Sequence, residues 1–228
     1  MRCECCEAKL KPVIALDIDG TLADYHGHFV EFACKWMDVD LQRYQMYSGV
    51  TDLATYLGIS KEQYRTIKLA YRQGGQKRWQ PPLFPNPGML VDRLIGLGFE
   101  VWIATTRPYN RFDSTDPDTR WWLDKHGVRF DGLIYDDDKM SVLVDRVGRQ
   151  RISMVVDDLS VNLEHAATLE VPAYQILTRY NAGARWHGPS VEGYQDIINI
   201  AQEIQELDEN GSIGVAERTI HSGRTTVA

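Results

Sequence analysis

Asp17-Ile18-Asp19-Gly20-Thr21 sets two carboxylates two residues apart at the end of an apolar run, with a glycine directly behind them. Carboxylates at a strand end add nothing to a core and cost desolvation and mutual repulsion. A divalent cation offsets that cost, and the glycine lets the backbone turn sharply and approach a ligand. The pair points to catalysis or metal binding rather than to a plain Asp-Gly turn. A second acidic pair, Asp157-Asp158, closes the run RISMVVDD. Read alone it is equally a solvated loop pair. Brought beside Asp17, Asp157 would give Mg2+ a second hard oxygen ligand and leave positions for a carbonyl, water and phosphate.

Thr105-Thr106-Arg107-Pro108 ends another apolar run. A hydroxyl and successive backbone N–H groups at a strand-to-helix transition suit phosphate oxygens. Arg107 is then either a further clamp or a surface salt-bridge partner. Lys139 follows Asp136-Asp137-Asp138. It is either a charged loop residue or a fixed ammonium that balances a carboxylate nucleophile and a phosphoryl group.

Four apolar runs would deliver these groups: 12–18 (PVIALDI), 99–106 (FEVWIATT), 151–158 (RISMVVDD) and the weaker 172–178 (PAYQILT). Each is short and continuous, as expected of parallel strands buried on both faces. Helical segments lie between them. They are MLVDRLIGLG, 115–127 with Asp and Pro at its start and Gly at its end, and 162–170. The alternation predicts an α/β fold, a Rossmann-like parallel sheet with helices on both faces, with ligands outside the carboxyl ends of the strands. Residues 24–85 break the rhythm with helix-like pieces, FVEFACKWM and KEQYRTIKLAYRQ, and close on PPLFPNPG. They read as a helical cap inserted after the first strand, with the catalytic core formed by 12–23 and 86–207. A last amphipathic helix is expected over 193–207, and flexible termini over 1–11 and 208–228.

The 228 residues suffice for one core and an insertion, and 43% hydrophobic with 25% charged residues is ordinary for a globular chain. A net charge of -7 gives no general attraction to nucleic acid. No apolar run suits a bilayer span, so no membrane partner is expected. The opening MRCECCEAKLK is no secretory signal, which makes the cytoplasm the expected location. Cys3, Cys5 and Cys6 lack a second ligand pair at similar spacing, so a reduced terminal segment is expected rather than a zinc site.

Taken together, these motifs resemble the haloacid dehalogenase-like phosphohydrolase superfamily, with its four signature elements in order. The resemblance implies that Asp17 is the nucleophile and Asp19 the general acid/base, whose carbonyl also binds Mg2+. It implies that Thr105 and Lys139 serve the phosphoryl group and that Asp157 is a metal ligand, with Asp158 a helper. Gly20, Thr106 and Arg107 join the phosphate-binding candidates. An acid at position 19 favours phosphoryl transfer over dehalogenation. Within the superfamily, PNPGMLVDRLIGLGFEVWIATTRP and TRWWLDKHG are similar to the 5′(3′)-deoxyribonucleotidase branch. The Arg after the second motif is also similar to the 3′-phosphatase domain of phage polynucleotide kinase.

The substrate must be read from the cap. Lys61, Arg65, Lys68 and Arg72 share a helix face, flanked by Tyr64 and Tyr71 and extended by Lys77, Arg78 and Trp79. That face is either simply solvated or suited to a nucleotide or a nucleic-acid end. Tyr25, His26, His28 and Phe29 follow the catalytic loop and are candidates for base or sugar contacts, or for packing at the cap joint. The leading expectation is a Mg2+-dependent nucleoside monophosphate phosphatase. Competing ones are a phosphatase of DNA or RNA ends, a small-metabolite phosphatase, and a binding protein without turnover.

Overall fold

The structure, a computed structural model, describes residues 10–44, 52–182 and 186–209. Six strands form one sheet: β1 (Val13–Leu16), β2 (Glu100–Thr105), β3 (Gly132–Tyr135), β4 (Ile152–Asp157), β5 (Ala173–Ile176) and β6 (Ser190–Val191). Their spatial order is β3-β2-β1-β4-β5-β6, and every pairing is parallel. β1 therefore lies centrally, between the strands that carry Thr105 and Asp157.

Side chains on a strand alternate between faces, and the two halves of the core follow that alternation. Ile14 and Leu16 of β1 join Val101, Ile103, Met154 and Val156 on one face. Helices α4 (Pro87–Gly96), α5 (Thr115–Lys125) and α8 (Tyr194–Glu209) cover it with Leu90, Leu94, Trp122, Ile197 and Ala201. Val13 and Ala15 face the other way, with Ala104 and Val155. There they meet Met140 and Leu143 of α6 (Lys139–Val147) and Leu163 and Ala166 of α7 (Ser160–Thr168).

Between β1 and α4 stand α1 (Tyr25–Met37), α2 (Leu53–Leu57) and α3 (Lys61–Gln73), followed by a 3-10 turn at Gln76–Trp79. They have a small core of their own, built on Phe29, Val30, Ala33, Leu53, Leu57, Ile67 and Tyr71. Local chemistry sets their ends. Asp24 caps α1 by accepting the Gly27 N–H at 2.8 Å, and Ser60 and Gln63 close a reciprocal capping box at the start of α3.

The expected strands are present, each a little shorter than its apolar run. α3 starts and stops as read, and α1 begins four residues earlier than FVEFACKWM. The last helix runs to Glu209, past the expected start of a flexible tail. β3, β6, α2 and α6 were not anticipated. Cys3, Cys5, Cys6 and the tail beyond 209 lie outside the described residues.

Candidate active site

Asp17 leaves the end of β1, its N–H still donating to the Val156 carbonyl at 3.0 Å. Asp157 is the last residue of the neighbouring β4, and Thr105 the last of β2 on the other side. Parallel pairing with β1 brings these three strand ends to one edge of the sheet. Lys139, the first residue of α6, completes the group: its Nζ is 2.5 Å from Asp17 Oδ1, 2.6 Å from Asp157 Oδ2 and 3.0 Å from the Ala104 carbonyl. Lys139 is 1% exposed. It is no loop residue at the surface; it is the ammonium at the centre of the site.

One ammonium does not balance this cluster. Asp17, Asp157 and Asp158 are all buried around it. Burial pushes the Asp17 carboxyl up to about 7, against Lys139 and helped by the charges of Asp157 and Asp19. Burial and the charges of Asp157 and Asp17 push Asp158 well above the carboxylate range. The same two aspartates hold the Lys139 ammonium charged despite its burial. Among the described residues, the buried Asp158 Oδ1 has no hydrogen-bond partner. Excess buried negative charge, hard oxygen donors and an orphaned carboxylate oxygen fit a divalent cation of the Mg2+ type. Among the described residues no three His, Cys, Asp or Glu side chains already stand as a metal cage.

Asp19 sits in an opposite environment. Arg107 grips it with two donors, Nη2 to Oδ1 at 2.7 Å and Nε to Oδ2 at 3.2 Å, and Lys77 Nζ donates to Oδ2. Burial alone would raise its pKa, but the Arg107 and Lys77 charges outweigh it and hold the carboxyl far below the usual range. Lys77 is pushed down to about 8 by burial, against the pull of Asp19, and its ammonium lies 4.3 Å from the Tyr25 ring centre.

The remaining candidates fall in different places. Arg107 is buried and spends its guanidinium on Asp19, Gln80 and Thr119, so it is neither a surface partner nor, as placed, turned to a phosphate. Its own N–H lies 3.4 Å from the Thr105 hydroxyl, and Thr106 follows half-buried. Gly20 has φ +99, and its N–H donates to the Ala23 carbonyl. A Cβ there would collide with the Tyr180 hydroxyl and the Asp158 carboxylate, so close approach is the reason for glycine. Tyr25 is half-buried beneath Lys77, and His26 is buried and stacked on Tyr180 with centroids 3.4 Å apart. His28 contacts the Tyr71 hydroxyl at 2.8 Å. Phe29 does not fit a ligand contact: fully buried among Tyr25, Tyr64 and Tyr71, it packs the core of the inserted helices and presents no surface to a ligand. Arg65 lies on the exposed face of α3, whereas Arg72 reaches the Phe112 ring on the core side.

Sequence reasoning gave no catalytic place to Lys77, and none at all to Gln80, Asn162 or Tyr180. Asn162 Nδ2 donates to both Asp157 oxygens, at 3.0 and 3.1 Å, and Tyr180 Oη donates to Asp158 Oδ2 at 2.8 Å. Asn162 stands five residues beyond Asp157, facing back from the following helix, a spacing that could have been noticed. Tyr180 carries no local signal.

A family model described as 5′ nucleotidase, deoxy (pyrimidine), cytosolic type C protein (NT5C) matches residues 11–201. Among solved structures, a haloacid dehalogenase-like hydrolase from Streptococcus pneumoniae aligns with TM-score 0.56 at 16% identity, covering 83% of this chain and 97% of that one. CbbY from Rhodobacter sphaeroides, in complex with phosphate, aligns with TM-score 0.55 at 15% identity, covering 82% and 96%. A HAD family hydrolase from Deinococcus radiodurans with bound phosphate and sodium gives TM-score 0.56 at 12% identity, covering 86% and 97%. At these identities the structures testify to the fold. No curated protein sequence gives a significant match.

Proposed function

Because the chain belongs to the 5′ nucleotidase, deoxy (pyrimidine), cytosolic type C family of haloacid dehalogenase-like phosphatases, we propose that it hydrolyses (deoxy)ribonucleoside 5′-monophosphates through an aspartyl phosphate on Asp17. The observation that carries this reading is the buried constellation of Asp17, Lys139 and Asp157 at the strand ends, with Asp19 held two residues from Asp17 in a different electrostatic setting.

Asp17 Oδ attacks phosphorus in line and displaces the nucleoside oxygen, forming the aspartyl phosphate. Asp19 delivers a proton to that leaving oxygen, then takes one from the water that cleaves the acyl phosphate. Arg107 and Lys77 hold Asp19 in its base form, so the proton it delivers in the first step comes from the Lys77 ammonium that donates to its Oδ2; the proton it then takes from water restores that ammonium. Lys139 and the Thr105 hydroxyl stabilise the negative charge that the equatorial phosphoryl oxygens gather. Asp17, Asp157 and the Asp19 carbonyl, aided by Asp158, would hold Mg2+, which when bound supplies charge neutralisation that lets a carboxylate approach a phosphate. CbbY and the Deinococcus hydrolase, with phosphate bound on the same fold, support phosphate as the recognised group.

The substrate reading is tested by phosphate release in Mg2+ from 5′- and 3′-mononucleotides, sugar phosphates, and oligonucleotides phosphorylated at either end. Preference for 5′-mononucleotides is expected. Preference for oligonucleotide ends or a sugar phosphate would overturn the substrate while keeping the chemistry.

A further inference from the structure

Arg107 does not stand alone on Asp19. The Nη2 that donates to Asp19 Oδ1 at 2.7 Å also lies 2.6 Å from Gln80 Oε1. Gln80 is 2% exposed and sits where the chain leaves the cap, immediately before Pro81. Its backbone carbonyl accepts the Trp122 indole N–H at 2.8 Å, which ties the residue to α5. Its side-chain Nε2 is 3.1 Å from the hydroxyl of Tyr71, which is fully buried. Tyr71 belongs to α3, with its ring among those of Tyr25, Phe29 and Phe32 in the cap core.

The direction of this chain follows from its first member. A guanidinium can only donate, so the Gln80 oxygen must face it and the Gln80 NH2 must face Tyr71. The phenol oxygen then accepts from Gln80 and has its own proton left for His28 Nδ1, 2.8 Å away. Each donor meets an acceptor in sequence: Arg107, Gln80, Tyr71, His28. The chain begins on the carboxylate assigned to proton transfer and ends in the cap.

We propose that Gln80 is a positioning residue for Asp19: it fixes the Arg107 guanidinium in its two-pronged grip, and through Tyr71 makes packing of the cap a condition for that geometry. The inference rests on the reading of Asp19 as the acid/base group. Without the Gln80 oxygen, a buried guanidinium donor loses its partner, and the guanidinium turns away from the alignment that both Asp19 oxygens require.

The test uses Gln80→Leu, Gln80→Glu and Tyr71→Phe in the full chain, with melting temperature as the folding control. Gln80→Leu should lower kcat roughly 10- to 100-fold with little change in KM. Gln80→Glu, which keeps an oxygen toward Arg107, should recover most of the loss. In an Arg107→Met background Gln80→Leu should add little, whereas a general packing defect would add its full effect. A readout independent of turnover is the Arg107 Nε–H signal in nitrogen-correlated NMR spectra. It should be protected from solvent exchange in the native protein and exchange faster in Gln80→Leu and Tyr71→Phe. Unchanged exchange, or full additivity with Arg107→Met, would overturn the proposal. A native protein that releases no phosphate from any nucleotide, yet shows the expected exchange pattern, would overturn the nucleotidase reading and leave the positioning geometry standing.

Discussion

Asp17 and Asp19 are the same residue type, two positions apart, and the structure gives them opposite characters. Asp17 is desolvated among other carboxylates and pushed up to about 7, while Asp19 is held ionised by Arg107 and Lys77. Environments that push two carboxylates apart mark out different roles for them. Asp19→Asn keeps the shape of the side chain but cannot pass a proton, so kcat for nucleotide hydrolysis should fall on the order of 10²- to 10⁴-fold. Steady-state kinetics with the folded variant would check this, and a variant within twofold of wild type would contradict it. Gly20→Ala tests a packing claim: positive φ and the collision with Tyr180 and Asp158 should cost about 1–3 kcal/mol, measured by denaturant unfolding. At this scale the sequence was legible where chemistry concentrates in a short stretch, as in Asp17-Ile18-Asp19-Gly20. It was illegible for Lys77, Gln80 and Tyr180, which meet Asp19, Arg107 and Gly20 from 58, 27 and 160 residues away along the chain through tertiary packing. Arg107 read equally as a phosphate clamp or a surface salt-bridge partner and not as Asp19's partner, because the choice between a phosphate and a carboxylate depends on where its guanidinium is aimed.

The elements explain why those side chains meet. A buried parallel sheet with β1 at its centre offers adjacent strand ends, and α6 starts on Lys139 with the side chain running back into the cleft. The sequence revealed the strands flanking the site because they are apolar on both faces, and α3 because its charged and apolar positions separate cleanly. It concealed β3, with only Gly-Leu-Ile-Tyr between an aspartate and an acidic run, and α6, whose first turn follows three aspartates. The inserted helices α1, α2 and α3 each begin on a side-chain cap. Ser60→Ala removes half of the α3 capping box and should cost about 1 kcal/mol. Hydrogen exchange should show the loss chiefly in α3, with the sheet amides unaffected; uniform loosening would contradict a cap with its own small core. His28 adds a pH effect, since burial lowers its pKa below the ordinary value. The folded protein then binds a proton less readily than the unfolded chain, so this contribution is fully present above about pH 6.5 and is lost as pH falls from there through the lower folded pKa. Tyr71 contacts the ring, and the charges of Glu31, Asp24, Lys35 and Lys77 act on it. The difference in melting temperature between wild type and His28→Gln should narrow or reverse between pH 7.5 and 5.5.

For the molecule as a whole, folding gathers Asp17, Asp157 and Asp158 around the single ammonium of Lys139, a cost that the proposed metal would relieve. A ligand bound only by the folded state stabilises it by mass action, about 2.7 kcal/mol at a hundredfold excess over its Kd. Mg2+ should therefore raise the melting temperature of the native protein, and Asp157→Asn should abolish most of that rise. An equal rise in the variant would place the cation elsewhere. Net charge and composition spoke only to the class of molecule, and among the described residues no helix is long and apolar enough to cross a membrane. The central claim is that Asp17 is the atom donor to phosphorus, and the most direct measurement is phosphate released from a deoxyribonucleoside 5′-monophosphate in Mg2+ by native protein and by Asp17→Asn. The account predicts turnover by the native chain and none detectable in the variant, with both showing the same circular dichroism. Turnover surviving in Asp17→Asn at a comparable rate would contradict it.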